Sequence, residues 1–131
     1  MNSITRALAF TALPKEPSLP LSLEILEGKI EFTDVVMKYT PTSNPSLNGF
    51  TLKIKSGQKV AFVGRSGAGK SSVLNALLQL YPLSGLITID GVNLSKVSLE
   101  SLRRQISVIP QTPFLFHGSV RKNIDPFNRV E

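Results

Sequence analysis

Lys59-Val-Ala-Phe-Val63 leads into Gly64, Arg65, Ser66, Gly67, Ala68, Gly69, Lys70 and Ser71, and then into Ser72-Val-Leu-Asn-Ala-Leu-Leu78; this run decides the fold. Residues 64–71 satisfy G-x-x-x-x-G-K-[ST] in full. Before them stands a short, near-continuous apolar run, which predicts a buried parallel strand over residues 59–63. After them Val73, Leu74, Leu77, Leu78 and Tyr81 recur at helical spacing, so a helix is expected from about Lys70 to residue 80, closed by Pro82. Strand, loop and helix in that order form the setting the motif requires.

The chemistry follows from backbone geometry. A phosphate group needs a concave array of N–H donors that no side chain obstructs. Gly64, Gly67 and Gly69 allow that approach and supply the positive φ angles of the turn. The start of the following helix points orphan amides and the positive end of its dipole at the anion. Lys70 is placed to reach the β- and γ-phosphates of a nucleotide, Ser71 to offer its hydroxyl to Mg2+, and Ser72 to add a hydroxyl near the α-phosphate. Arg65, Ser66 and Ala68 complete the candidate loop. A plain glycine-rich strand-to-helix turn is the competing reading, and the full match in the required setting weighs against it.

Outward from the loop, Phe50-Thr-Leu-Lys-Ile-Lys55 alternates apolar and polar, the pattern of a half-buried strand. Lys29-Ile-Glu-Phe-Thr-Asp-Val-Val-Met-Lys-Tyr39 is patterned as a strand, and residues 40–48, with Pro41 and Pro45, as a loop. Downstream, residues 83–85 read as a turn after Pro82, Gly85-Leu-Ile-Thr-Ile89 as a strand, and Asp90-Gly91 as a turn dipeptide. Ser98 is suited to cap a helix ending near Gln105, and Ile106-Ser-Val-Ile109 reads as a strand closed by Pro110. Residues 1–28 form a linker, with Pro14, Pro17, Pro20, Ser18 and Ser22 making residues 14–28 extended and order beginning near Lys29. Within the linker, residues 7–13 are apolar apart from Thr11, which fits a short helix better than a targeting segment, since no small-residue cleavage site follows.

Composition narrows the class. The length of 131 residues suits one domain, with 41% hydrophobic and 18% charged residues placing it among globular chains. No apolar run reaches the length of a membrane helix. Cysteine is absent, which removes disulfide frameworks and thiolate metal sites. The net charge of +6 suits a polyanion such as nucleotide phosphate. Nucleic acid is disfavoured, because no dense Lys/Arg block is interleaved with aromatics and Trp is missing.

Several residues invite a functional reading that their setting does not support. Leu86-Ile-Thr-Ile-Asp90 looks like a strand ending in a metal-directed carboxylate, but Thr88 interrupts it and Asp90-Gly91 is a good turn by itself. Leu83-Ser84-Gly85 matches the beginning of an LSGGQ element and then diverges at Leu86. His117, the single histidine, has no carboxylate cluster near it and reads as a surface residue. Phe114, Leu115 and Phe116 read as packing residues under a loop, and Arg103, Arg104, Arg121 and Lys122 as surface charges.

Taken in order, Tyr39, residues 64–72, Ile87-Thr-Ile-Asp-Gly91, Leu102-Arg-Arg-Gln-Ile-Ser-Val-Ile-Pro-Gln111, Phe114-Leu-Phe116 and Asn123-Ile-Asp-Pro-Phe127 resemble an ATP-binding cassette (ABC) domain. The likeness is nearest to the second nucleotide-binding domain of the multidrug-resistance-associated C subfamily and covers residues 28–128. It implies an α/β fold: a partial P-loop NTPase core with an antiparallel β subdomain at its N-terminal side, truncated before the helical subdomain. Residues 29–131 are then the front portion of the domain, carrying A-loop, Walker A and Q-loop. Tyr39 matches the A-loop aromatic that stacks on adenine, and Gln111 the Q-loop glutamine that approaches Mg2+ and the γ-phosphate. The implied ligands are ATP and Mg2+, and the implied partners a transporter membrane domain and a second nucleotide-binding domain. The implied location is the cytoplasmic face of a membrane, reached through the parent transporter.

The chain departs from the family after Gln111. The LSGGQ signature, Walker B Asp, catalytic Glu, D-loop and switch His are not in it, so it is expected to bind nucleotide without turning it over, and to be a fragment, a truncated product or an incomplete gene model. In the family's sheet the Walker B strand lies beside the P-loop strand, so residues 59–63 are expected to expose backbone groups and apolar surface. Two other classes compete: a small self-sufficient P-loop kinase or GTPase using Asp90 for metal, which lacks a guanine-reading Asn-Lys-x-Asp segment, and a non-enzymatic module docking on a membrane domain.

Overall fold

The structure, a computed structural model, describes residues 3–13, 15–16 and 19–127. Pro14, Pro17, Ser18 and Glu131 lie outside the described residues. The frame is an antiparallel sheet centred on β1 (Ile30–Met37). β2 (Leu47–Ile54) pairs one edge of β1 and β3 (Leu83–Ile89) the other, with β4 (Val92–Asn93) outermost, in the order β2-β1-β3-β4. Phe32 sits opposite both Leu52 and Ile87, and Ile30 opposite Ile54 and Ile89.

Period-two alternation in β1 breaks at one point. Asp34 adopts φ 51° and bulges, shifting the register so that Phe32 and Val35 are both buried although they are three positions apart. Its main chain presses on β3 at Gly85, where a Cβ would lie 2.3 Å from the Asp34 carbonyl oxygen; only glycine fits. Residues 83–85, expected as a turn, therefore open β3. At the other end of β3, Asp90 (φ 50°) and Gly91 (φ 79°) form the two-residue turn into β4, both left-handed as the Asp-Gly pair predicts.

Helices α1 (Ser3–Thr11), α2 (Lys70–Leu77), α3 (Leu99–Gln105) and α4 (Val120–Ile124) accompany the sheet. Val73 and Ala76 of α2 and Leu102 of α3 join Phe32, Val35, Met37, Ile87 and Ile89 in one buried cluster, together with Leu94 and Val97 after β4. Burial of each large apolar side chain stabilises the fold by about 1.5–3 kcal/mol. Ser98 caps α3 by accepting from the Ser101 amide, as expected from the sequence. α2 ends before Pro82 is reached. Gln79 turns left-handed (φ 50°), its amide donating to the Ala76 carbonyl and that of Leu80 to the Asn75 carbonyl. That pair of bonds is a Schellman stop, built here without glycine.

Two expectations fail. Residues 59–63 and 106–109 are not strands: neither forms a ladder, and Val63 and Ile109 are 96% and 93% exposed. A parallel strand of a doubly covered sheet is stable only between neighbours that satisfy its amides and cover its faces. Among the described residues no strand takes that place, and the exposed backbone and apolar surface expected around residues 59–63 are present. The linker reading also needs correction. Leu21 bridges Val97, the Leu23 amide donates to Ser101 Oγ at 2.8 Å, and the Leu23 side chain belongs to the core. From Leu21 onward this segment is part of the body.

Candidate functional site

Gly67 (φ 79°) and Gly69 (φ 82°) put two left-handed residues into the loop between residue 63 and α2. One turn closes it, from the Ala68 amide to the Arg65 carbonyl (3.2 Å), and the amides of Ser72 and Val73 return to the Gly69 carbonyl. The amides of Gly67, Gly69, Lys70 and Ser71 donate to nothing among the described residues, and residues 64–68 are exposed. The loop thus presents free donors at the start of α2, the arrangement an anion requires. Gly69 cannot be replaced without movement, because a Cβ there would stand 2.7 Å from the Ser46 carbonyl oxygen.

Lys70 folds over the loop, its ammonium donating to the carbonyls of Gly64 (2.8 Å) and Arg65 (2.6 Å). A cation so placed lies on the same rim as the free amides. The Ser71 side chain is exposed and makes no hydrogen bond among the described residues, leaving its hydroxyl open to a hard cation. Ser72 is buried and shares a 2.9 Å hydrogen bond with the Tyr39 hydroxyl. Tyr39 stands just past the end of β1 and is thereby brought to α2; its ring meets that of Tyr81 edge-on, centroids 4.7 Å apart. Beside Tyr39 opens a largely apolar groove of about 330 Å³ between Lys38-Tyr39-Thr40-Pro41 and Pro82-Leu83-Ser84. Gln111 lies in an exposed bend and makes no hydrogen bond among the described residues. The structure therefore brings Tyr39 to Ser72 at the head of α2, beside the loop.

Asp90 is held by the main chain of the N-terminal segment. Oδ2 accepts from the amides of Leu26 (2.9 Å), Glu27 (3.0 Å) and Gly28 (3.1 Å), and Oδ1 from that of Lys29 (2.7 Å). Desolvation raises its pKa, but the amides of Lys29, Gly28, Glu27 and Leu26 together outweigh it and hold the carboxyl down at about 2. Its oxygens anchor the N-terminal segment, so the kinase reading loses its metal ligand. Among the described residues no group of three or more His, Asp or Glu side chains converges on a metal site.

Arg103 is more than a surface charge: it donates to the carbonyls of Leu78 and Gln79 at the end of α2 (both 3.2 Å) and pairs through both terminal nitrogens with Glu16. Phe114, Leu115 and Phe116 are exposed rather than packed under a loop. Two residues escaped the sequence reading. Asn75, whose amide donates to the Tyr39 hydroxyl at 3.1 Å, looks in sequence like any polar helix position. Leu23 does leave a signal, the alternation of Leu21-Ser-Leu-Glu-Ile25, which is strand-like.

The sequence profile of the ABC transporter family matches residues 47–131. "ABC transporter C family member 6" of Dictyostelium discoideum is 40% identical over 98% of this chain and 11% of its own length. "ATP-binding cassette sub-family C member 10" of Homo sapiens is 45% identical over 95% of the chain and 9% of its own. Among solved structures, that of a bacterial Atm1-family ABC exporter with ATP bound superposes with a TM-score of 0.80 at 29% identity, covering 94% of this chain and 22% of the exporter chain. The fold is that of a P-loop NTPase, present in part. The chain belongs to the ABC transporter family, as the front part of a C-subfamily nucleotide-binding domain. It spans only a small share of each relative's length. Among the described residues no helix is long and apolar enough to cross a membrane.

Proposed function

We propose that this chain binds Mg-ATP through the loop at residues 64–71 and serves as the nucleotide-binding part of an ABC-type transporter. The observation that carries the reading is the row of unbonded amides at Gly67, Gly69, Lys70 and Ser71, opened by left-handed glycines at the head of α2. Gly64, Arg65, Ser66 and Ala68 shape that cradle. Lys70 exchanges the loop carbonyls for phosphate oxygens, Ser71 offers its hydroxyl to Mg2+, and Ser72 lies next in line toward the α-phosphate. Tyr39 supplies a ring for the base, a contact that favours any π-face. Gln111 approaches the Mg2+ and the γ-phosphate as the Q-loop glutamine. The bound metal would supply charge neutralisation at the phosphates.

In the parent protein the chain works with a membrane domain and a second nucleotide-binding domain, at the cytoplasmic face of a membrane, with ATP hydrolysis driving transport. The second-domain position within the C subfamily, a connecting role for the residues ahead of Leu21 and a nucleotide-binding role for residues 29–131 are part of this proposal. By itself the chain is expected to bind without hydrolysing, because Asp90, the carboxylate that follows β3, is committed to backbone amides. Equilibrium titration of Mg-ATP into the chain and into Lys70→Ala tests the reading. Loss of a charge-assisted contact predicts an affinity about 10- to 100-fold lower in the variant. Equal affinities contradict it.

A further inference from the structure

Tyr39 lies in a segment that gives its ring little support of its own: residues 40–46 carry Pro41 and Pro45 and form no helix or strand. What holds the ring comes from α2 and its C-terminal continuation. The Asn75 amide donates to the phenol oxygen (3.1 Å), so the phenol proton is free to go to Ser72 Oγ (2.9 Å). Ser72 and Asn75 are three positions apart and share one face of the helix. The Tyr81 ring, just beyond the end of α2, meets Tyr39 edge-on at 82°. For the buried Ser72 hydroxyl, Tyr39 is the one hydrogen-bond partner among the described residues. The hydroxyl of a residue following a β-strand is thus fastened to the helix whose first residues form the phosphate cradle.

We propose that Asn75 is a positioning residue: through the Tyr39 hydroxyl it fixes the base-facing ring at a set distance from the phosphate loop, and so gives the site its preference for a nucleotide over a bare polyphosphate. The proposal rests on the nucleotide reading above and assigns Asn75 a role that neither the loop motif nor the aromatic ring requires. The physical basis is preorganisation. A ring already held where the base will stack loses less freedom on binding than one that samples rotamers. The bond from Asn75 also polarises the phenol toward Ser72, so the three groups act as one chain of hydrogen bonds.

The test compares ATP with tripolyphosphate, which engages the loop without a base. Asn75→Leu keeps the side-chain size and removes the donor; Tyr39→Phe keeps the ring and removes the hydroxyl. Each is expected to weaken ATP binding about three- to tenfold, the range of one net hydrogen bond, and the double variant no more than either alone. Tripolyphosphate affinity in Asn75→Leu stays at the unmodified level. An ATP affinity unchanged by Asn75→Leu overturns the proposal while Lys70→Ala still loses both ligands, which leaves the nucleotide reading standing. Equal losses for both ligands in Asn75→Leu also overturn it, since Asn75 then merely supports α2. If Lys70→Ala binds ATP as tightly as the unmodified chain, the nucleotide reading fails and this inference falls with it. Emission supplies a readout independent of ligand, because the chain has two tyrosines and no tryptophan. In a Tyr81→Phe background Tyr39 is the sole emitter, and Asn75→Leu is expected to change its intensity with far-UV dichroism retained. An unaltered Tyr39 signal contradicts the proposal.

Discussion

Residues 59–63 and the strand β3 are both apolar, and each runs into a glycine-bearing turn, yet only β3 is paired. β3 pairs with β1 along its length and with β4 at its last two residues, and its Ile87 and Ile89 are buried. Residues 59–63 carry Val60, Phe62 and Val63 at the surface with no ladder at all. Pattern alone does not make a strand. A run of apolar residues becomes one where a neighbour receives its hydrogen bonds, and β-propensity measures that fit more than any backbone preference. The phosphate loop keeps its form beside the unpaired run because its supports lie elsewhere, in Ser46 against Gly69, in Tyr39 on α2 and in the buried side chains of Val73 and Ala76.

Substitution should expose the contrast between the two regions. Leu102→Ala removes a fully buried side chain from the cluster and is expected to cost about 2–5 kcal/mol. Val63→Ala, at a site almost wholly in solvent, is expected to change stability by less than about 0.5 kcal/mol. Chemical denaturation of the two variants checks both values. Comparable losses would mean that residues 59–63 are covered in solution.

A smaller effect is expected from the Asp90 anchor. Its folded pKa of about 2 lies below the ordinary value of 3.8, so its contribution to stability is complete above that ordinary value. The contribution fades as pH falls through the interval between the two values. Asp90→Asn should therefore lower the melting temperature at pH 7 and leave it close to the unmodified protein near pH 2. A deficit of equal size at both pH values would assign the loss to packing rather than charge.

Much of the site was legible in the sequence because it depends on local chemistry. The glycines, Lys70 and Ser71 define the loop by spacing, Ser98 announces α3, and Asp90-Gly91 announces its turn. What was not legible depends on meetings across the chain. Asp90 looked like a turn residue or a metal ligand, and nothing local says that its oxygens capture four amides some sixty positions earlier. The bulge at Asp34 has no marker at Asp34 itself; its counterpart is Gly85 on the neighbouring strand. Three prolines made residues 14–28 read as linker, which concealed the contribution of Leu23 to the core. Residues 59–63 and 106–109 read as strands from their apolar runs, whereas pairing depends on partners that a local run does not reveal.

The most direct measurement of the central claim is the set of amide resonances of the loop during a titration with Mg-ATP. The account predicts that Gly67, Gly69, Lys70 and Ser71 shift most, in step with one another and saturably, while the amides of β1 and β3 stay in place. If those four resonances hold still as nucleotide is added, or if the largest shifts fall on the sheet, the loop is not where phosphate binds and the account is wrong.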